Sequence, residues 1–426
     1  MKSTTYENMN TKETSSNPVL QKYKINHKND IFSNLAKRNT PLRNSIYSND
    51  KVLVHVDKLK RLQNMQPISP TSVLVDLEAF CNDNCGFCTT RKENGYNNSM
   101  LKLLNVSERK KNFLDDFKPI GRSSEKSRLS LDMAYRLPEM LKDAKIHAIE
   151  LTGGGEPTLW PAFDILLENL VKNDIEIGLV TNGSNISDKR AKLIAQYCTW
   201  VRFSMDSSNE ALHKKMHRTS NNDFKRRIKS IEQIIKYNRN GLIIGVSFVI
   251  TPQNVLDIEK SCMFYRDLGV DHLRFTWMYD KTGTAGLTAE EIQSIKDLLI
   301  KCKKKHDDDS FGILYDDNRI DFYSQPNDDF SKCHMQRFIW AIGADANVYP
   351  CCIMKYNEKF SIGNIQDQTL EEIIYDKYSK NKMDTLNPQN CFPCWLRNKN
   401  KTITKALEKP IKELNDDLLP THHNFV

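Results

Sequence analysis

The chain has 426 residues, 39% of them hydrophobic, enough for one large domain or two ordinary ones with real cores. No apolar run approaches the ~20 residues of a membrane helix, and Met1 to Gln21 is polar, without the apolar segment of an export signal. A cytoplasmic protein with no membrane partner is therefore expected, and its 11 cysteines suit metal or cluster ligation in a reducing compartment better than a disulfide framework.

The net charge of +8 is unevenly placed. Residues 1–72 carry 12 Lys/Arg against 5 Asp/Glu, and residues 91–128 carry 10 against 5, so the rest of the chain stands at −4. Residues 1–50 read as a disordered basic tail. Lys51 to His55 is expected as a short strand and Val56 to Asn64 as a short helix. Ser72 to Glu78, nearly all apolar, reads as a parallel strand covered on both faces.

Directly after it, Cys81, Cys85 and Cys88 are spaced C-x3-C-x2-C. A disulfide would leave one thiol over, and a tetrahedral zinc site needs a fourth ligand from elsewhere. Three thiolates on a four-iron cube leave one iron open for chemistry. Unrelated core cysteines are the plainest alternative. Residues 89–129 read as a charged insertion, with a helix around Ser107 to Phe117.

A regular alternation follows. Helices are expected over 131–144, 160–172, 187–197, 223–238, 255–268 and 288–305. Strands are expected over 146–152, 176–181, 200–205, 242–251 and 272–277. Ser187 is a helix cap, and Thr288 with Glu291 makes a capping box. Six strand–helix repeats argue for a parallel sheet with helices outside, whose chemistry lies at the C-terminal ends of the strands. The cysteine loop, Gly153 to Pro157, Asn182 and Asp206 all fall at such ends. Gly153-Gly154-Gly155 lets backbone approach a ligand closely, and Glu156 offers a carboxylate to an ammonium group. On residues 200–206, Arg202, Ser204 and Asp206 share one face.

At this point the chain resembles the radical S-adenosylmethionine (SAM) superfamily. Cys81, Cys85 and Cys88 match its three-cysteine motif, with an aromatic residue, Phe87, before the last cysteine. Gly154, Gly155, Glu156 and Pro157 match its second signature, which holds the methionine amino group. The resemblance covers residues 72–310 or so and implies a partial (β/α)6 barrel carrying a [4Fe–4S] cluster. Reductive cleavage of SAM would give methionine and a 5′-deoxyadenosyl radical that takes hydrogen from a substrate. It also implies SAM contacts at Asn182, Ser204 and Asp206, and adenine packing on strand five around Val249. An electron donor such as flavodoxin or ferredoxin would serve the cluster. His213, His217 and Arg218 follow strand four, and Arg218 is read either as a contact to the SAM carboxylate or as a solvated charge.

The last quarter carries Cys333, Cys351, Cys352, Cys391 and Cys394. A hairpin over 339–350 and a helix over 369–378 are expected among them. The pattern resembles the SPASM extension in its shorter "twitch" form. It implies one auxiliary [4Fe–4S] cluster on Cys333, Cys351, Cys391 and Cys394, with Cys352 a neighbour and zinc the alternative metal. Ala346 stands where that hairpin usually has glycine. Cys198, Cys262 and Cys302 read as core thiols.

The expected fold is thus α/β: a barrel domain over 51–310, a small cysteine-rich α+β extension over 311–400 and a tail over 401–426. The expected function is hydrogen abstraction from a peptide, a protein side chain or a sugar-type metabolite, with the auxiliary cluster relaying electrons. A nucleotide- or nucleic-acid-modifying enzyme is the second reading, motivated by the basic segments. A non-catalytic iron–sulfur or zinc protein is the third.

Overall fold

A computed structural model describes residues 49–88, 128–278, 285–315, 331–391, 394–408 and 422–426. The disordered tail expected over 1–50 and the 89–129 insertion lie almost wholly outside the described residues. So does Tyr279.

Six parallel strands form the centre: β1 (Ser72–Asp76), β2 (Ala148–Thr152), β3 (Glu176–Thr181), β4 (Trp200–Ser204), β5 (Ile243–Ile250) and β6 (His272–Trp277). They pair in sequence order, as right-handed β-α-β crossovers place them. The intervening helices are α2 (Met133–Asp143), α3 (Phe163–Lys172), α4 (Asp188–Tyr197), α5 (Glu210–His217), α6 (Asp223–Tyr237) and α7 (Ile258–Leu268), with α1 (Val56–Gln63) preceding β1 and α8 (Ala289–His306) following β6. Ser187 caps α4, and Thr288 with Glu291 forms the capping box of α8.

The strands sort their residues by period two. Val73, Val75, Ile149, Leu151, Ile177, Leu179, Val201 and Phe203 are buried under the helices. The other face, half-buried, presents Leu74, Glu150, Thr152, Val180, Arg202, Ser204, Ser247 and Val249. A polar inner face inside an apolar shell is a site, not a core.

The sheet does not stop at the barrel. β7 (Gly312–Leu314) pairs with β6, and β8 (Ile339–Ile342) pairs in parallel with β1, so the extension joins the sheet on its β1 side. β9 (Asn347–Tyr349) returns antiparallel to β8, and β10 (Gly363–Asn364) lies beyond it, giving ten strands among the described residues.

Four expectations change. Lys51 to His55 is no strand: a 3-10 turn covers Asn49–Val54. The helix expected over 369–378 is two, α9 (Leu370–Tyr375) and α10 (Lys377–Asp384), broken at Asp376, whose side chain accepts from Ser379 N–H. α5 was not expected, because a short polar helix carries little apolar period. The tail placed over 401–426 begins inside α11 (Arg397–Leu407), and its last residues return to the barrel. Lys51 Nζ donates to the carbonyls of His422 and Phe425 at 2.9 and 3.0 Å, and Asn424 Nδ2 donates to Glu176 Oε1.

Candidate active site

The C-terminal ends of β1 and β2 meet backbone to backbone. Glu156 N–H donates to the Phe80 carbonyl at 2.9 Å. A Cβ on Gly155 would fall 2.1 Å from that same oxygen, so only glycine fits there. The cysteine loop and the glycine loop are therefore one structure. Cys81, Cys85 and Cys88 are half-buried within it and form no disulfide.

Glu156 is 2% exposed. It caps the 3-10 turn Pro157–Leu159, with Pro157 buried at the first position. Oε1 accepts from Thr158 N–H, Thr158 Oγ1 and Thr181 Oγ1, the last at 2.6 Å, and Oε2 accepts from Asn182 N–H at 2.7 Å. The carboxylate expected to meet an ammonium group is thus engaged by the protein, most heavily at Oε1, whereas Oε2 accepts the one bond from Asn182. Burial pushes its pKa up in spite of them.

Asn182 faces the cysteine loop: Nδ2 donates to Asn82 Oδ1 at 2.8 Å and lies 3.9 Å from Cys81 Sγ. Ser204 and Val249 lie on the half-buried inner face. Asp206 does not join them. It is 1% exposed, its backbone is left-handed at φ 57°, Oδ1 accepts from Val249 N–H at 2.5 Å, and Oδ2 lies 3.1 Å from His217 Nε2. Arg218, left-handed at the end of α5, lays its guanidinium against Gly86.

Beneath the loop lies a buried ionic group that the sequence reading missed. Arg227 Nη1 and Nη2 hold the Asp83 carboxylate at 3.0 and 2.5 Å, and Nη2 also reaches Asp223 at 2.7 Å. His217 Nδ1 lies 3.1 Å from Asp83 and 3.2 Å from Cys85 Sγ. Burial would raise the Asp83 carboxyl, but the His217 and Arg227 bonds reverse that and hold it below the usual range. Burial, helped by the Asp83 and Glu156 charges, raises the Cys81 thiol, and Cys85 also rises although His217 opposes it. His213 and His217, spaced i and i+4 on α5, were the available signal.

The extension closes over this site. Lys355 and Tyr356 reach Asp76 at the end of β1, and a Cβ on Gly154 would stand 3.2 Å from the Tyr356 hydroxyl. Beyond them the second cysteine group assembles. Burial pushes the Cys394 thiol up to about 12, with nearby Cys333 and Cys352 adding to the rise. Cys351 neighbours Cys352 and Cys394, whereas Cys352 lies near Lys355 and, on the barrel side, near Glu150 and Asp76. Cys391 lines a cavity of about 210 Å³ with Pro350 and Phe360. Asn400 of α11 pins the Cys333 segment, accepting from His334 N–H and donating to the Lys332 carbonyl. The hairpin turn forms with Ala346 left-handed at φ 64°. Cys198, Cys262 and Cys302 are buried in the core.

The residues fit iron–sulfur ligation at both places. The first offers three cysteines in one loop, none in a disulfide, beside a backbone cradle that any Cβ at Gly155 would fill, and the second brings Cys333, Cys351 and Cys352 near Cys394.

Comparison with known proteins agrees. Residues 75–264 match the radical SAM superfamily model, and residues 333–395 match SPASM, an iron–sulfur cluster-binding domain. In sequence, the chain is 28% identical over 130 residues to an S-adenosylmethionine-dependent nucleotide dehydratase of Flammeovirga pacifica, covering 30% of this chain and 44% of that protein. The chain thus spans less than half of that relative's length. It is 24% identical over 281 residues to a GTP 3′,8-cyclase of Aliarcobacter butzleri, covering 62% of this chain and 83% of that one. In structure it resembles Streptococcus suis SuiB bound to S-adenosylmethionine, with a TM-score of 0.54 at 17% identity over 77% of this chain and 71% of the other. With both cysteine groups inside matched segments and the strand order that such a barrel requires, this chain belongs to the radical SAM superfamily of enzymes, whose cofactors are a [4Fe–4S] cluster and S-adenosylmethionine, and carries a SPASM iron–sulfur domain.

Proposed function

We propose that this chain removes a hydrogen atom from a peptide, a protein side chain or a sugar-type metabolite. In this reading Cys81, Cys85 and Cys88 hold the SAM-binding cluster, and Cys333, Cys351, Cys391 and Cys394 hold the auxiliary one. The observation that carries the reading is the contact of Gly155 and Glu156 with Phe80, which puts a glycine-lined backbone beside the loop of three cysteines, none in a disulfide. When bound, cluster and SAM supply a 5′-deoxyadenosyl radical.

The protein's part is to bind, orient and exclude water. Backbone at Gly154 and Gly155 receives the methionine end, with Pro157 and Glu156 fixing the loop from behind. Asn182 steadies the cysteine loop, Ser204 offers a hydroxyl on the inner face, and Asp206 holds strand β5 at Val249. Substrate occupies the space between this inner face and the extension. A fully thiolate-ligated auxiliary cluster has no open iron for substrate, so its role is to accept or relay an electron. An external donor such as flavodoxin or ferredoxin supplies the first one. Among the described residues no helix is long and apolar enough to cross a membrane, and the cysteine usage suits the cytoplasm.

The test is anaerobic reconstitution with iron and sulfide, reduction with dithionite and addition of SAM. Formation of 5′-deoxyadenosine is expected. Its absence from a sample with intact clusters overturns the reading and leaves a non-catalytic metalloprotein.

A second reading, nucleotide modification, draws on the sequence relatives named for nucleotide substrates. The basic segments that first suggested it lie mostly outside the described residues. A rise in 5′-deoxyadenosine formation on adding GTP or another nucleoside triphosphate favours it over a peptide or sugar.

A further inference from the structure

His217 touches the cysteine loop in three independent ways. Its carbonyl accepts from Asn84 N–H at 3.0 Å, its ring meets the Phe87 ring edge-on at 6.0 Å and 84°, and its Nδ1 lies 3.2 Å from Cys85 Sγ. The ring is 1% exposed and stacked on His213 at 4.3 Å. On its far side, Nε2 lies 3.0 Å from the Met205 carbonyl and 3.1 Å from Asp206 Oδ2. Both of those are acceptors, so Nε2 carries hydrogen. Nδ1 faces two acceptors, the Asp83 carboxylate (already held by Arg227) at 3.1 Å and the Cys85 sulfur at 3.2 Å, so the one hydrogen there is shared between them.

We propose that His217 is a positioning residue of the radical-generating cluster: its Nδ1–H donates to the Cys85 sulfur, and through Nε2 and Asp206 it ties that ligand to strand β5 at Val249. This rests on the assignment of Cys85 to the SAM-binding cluster. A hydrogen bond to a ligating sulfur withdraws electron density from it and favours the reduced cluster, so it raises the potential. Asp206, expected as a SAM contact, then acts as the orienting group of this histidine. The link also gives strand β5 a physical route to the cluster: a shift at Val249 moves Asp206, and Asp206 holds the ring.

The experiment uses the full chain, reconstituted anaerobically, and follows the EPR signal that changes on adding SAM. His217→Phe keeps an aromatic ring but has no donor. It is expected to lower the midpoint potential of that signal at unchanged iron and sulfide content, and His217→Asn, which returns an N–H near the place of Nδ1, is expected to recover much of the loss. In the wild type, selective ¹⁵N-histidine labelling is expected to add a histidine nitrogen coupling to the reduced cluster in pulsed EPR. An unchanged potential in a fully loaded His217→Phe variant overturns the proposal. So does the absence of a histidine coupling in the wild type, a result that stands even where the variant fails to hold iron. Failure of the underlying reading looks different: the wild type then has no SAM-responsive signal at all, and the proposal falls with it.

Discussion

Lys355 Nζ donates to both carboxylate oxygens of Asp76, each at 2.7 Å, joining the extension to the strand that leads into the cysteine loop. Asp76 is fully buried and also accepts from the Tyr356 hydroxyl at 2.6 Å. Burial, with the Asp76 charge beside it, raises the Tyr356 phenol well above its ordinary value, so it stays a donor. Removing one partner from a buried pair costs about 3–5 kcal/mol, since the other charge is left unpaired. Lys355→Met is expected to lie at the low end, because the lysine keeps a slight exposure. Denaturant unfolding of the metal-free chain measures it, and a loss of less than about 0.5 kcal/mol would refute the lock.

Glu156→Gln puts an amide where four donors now converge on two carboxylate oxygens. At least one N–H then faces another, and a buried unsatisfied donor costs about 1–3 kcal/mol. The variant is expected to lose that much stability and to bind SAM less tightly through displacement of the loop. Wild-type stability and SAM affinity would show that these bonds do not hold the loop.

Gly155→Ala drives a Cβ into the Phe80 carbonyl, a backbone atom that cannot rotate away. The loops must part, and SAM-dependent 5′-deoxyadenosine formation is expected to fall by about two orders of magnitude, about 2.7 kcal/mol of barrier. Activity near wild type would mean that the two loops separate freely.

Cys394→Ala tests the auxiliary site. Iron is expected to fall by one cluster's worth while SAM cleavage at the first cluster persists. Unchanged substrate turnover in that variant would sink the electron-relay role.

Burial lowers the Lys51 pKa to about 7, with Lys399 adding to the effect and Glu176 and Glu150 opposing it. In the unfolded chain a lysine titrates near 10.5, so between about pH 7 and 10.5 the unfolded state binds the extra proton. The buried charge therefore penalises folding most below pH 7, and stability rises with pH above it. Lys399, at about 8, adds to the slope. In Lys51→Met the slope between about pH 7 and 8.5 is expected to flatten, read as the difference from wild type in urea unfolding. Parallel profiles would contradict a buried Lys51.

The barrel was legible because its residues carry local signals. Apolar strands such as Ser72–Asp76 and capped helices such as Ala289–His306 announce themselves by period and cap, and the cysteine spacing by chemistry. Ala346 shows the limit of that kind of reading. It is not glycine, yet its turn forms, because Asp345 Oδ1 accepts from Asn347 N–H at 3.2 Å and Gly343 O from Ala346 N–H at 2.9 Å.

By itself the sequence determined the cysteine spacing, that Cys81, Cys85 and Cys88 follow the first barrel strand, and which family the pattern marks, since spacing along the chain is enough for each of these. Only the tertiary structure decided what surrounds those thiols. His217 is 132 positions from Cys85, and Lys355 is 279 from Asp76. Contacts of that separation leave no period, cap or spacing in the chain. Folding brings them together, and burial then turns ordinary side chains into hydrogen-bonded groups that hold the site in place.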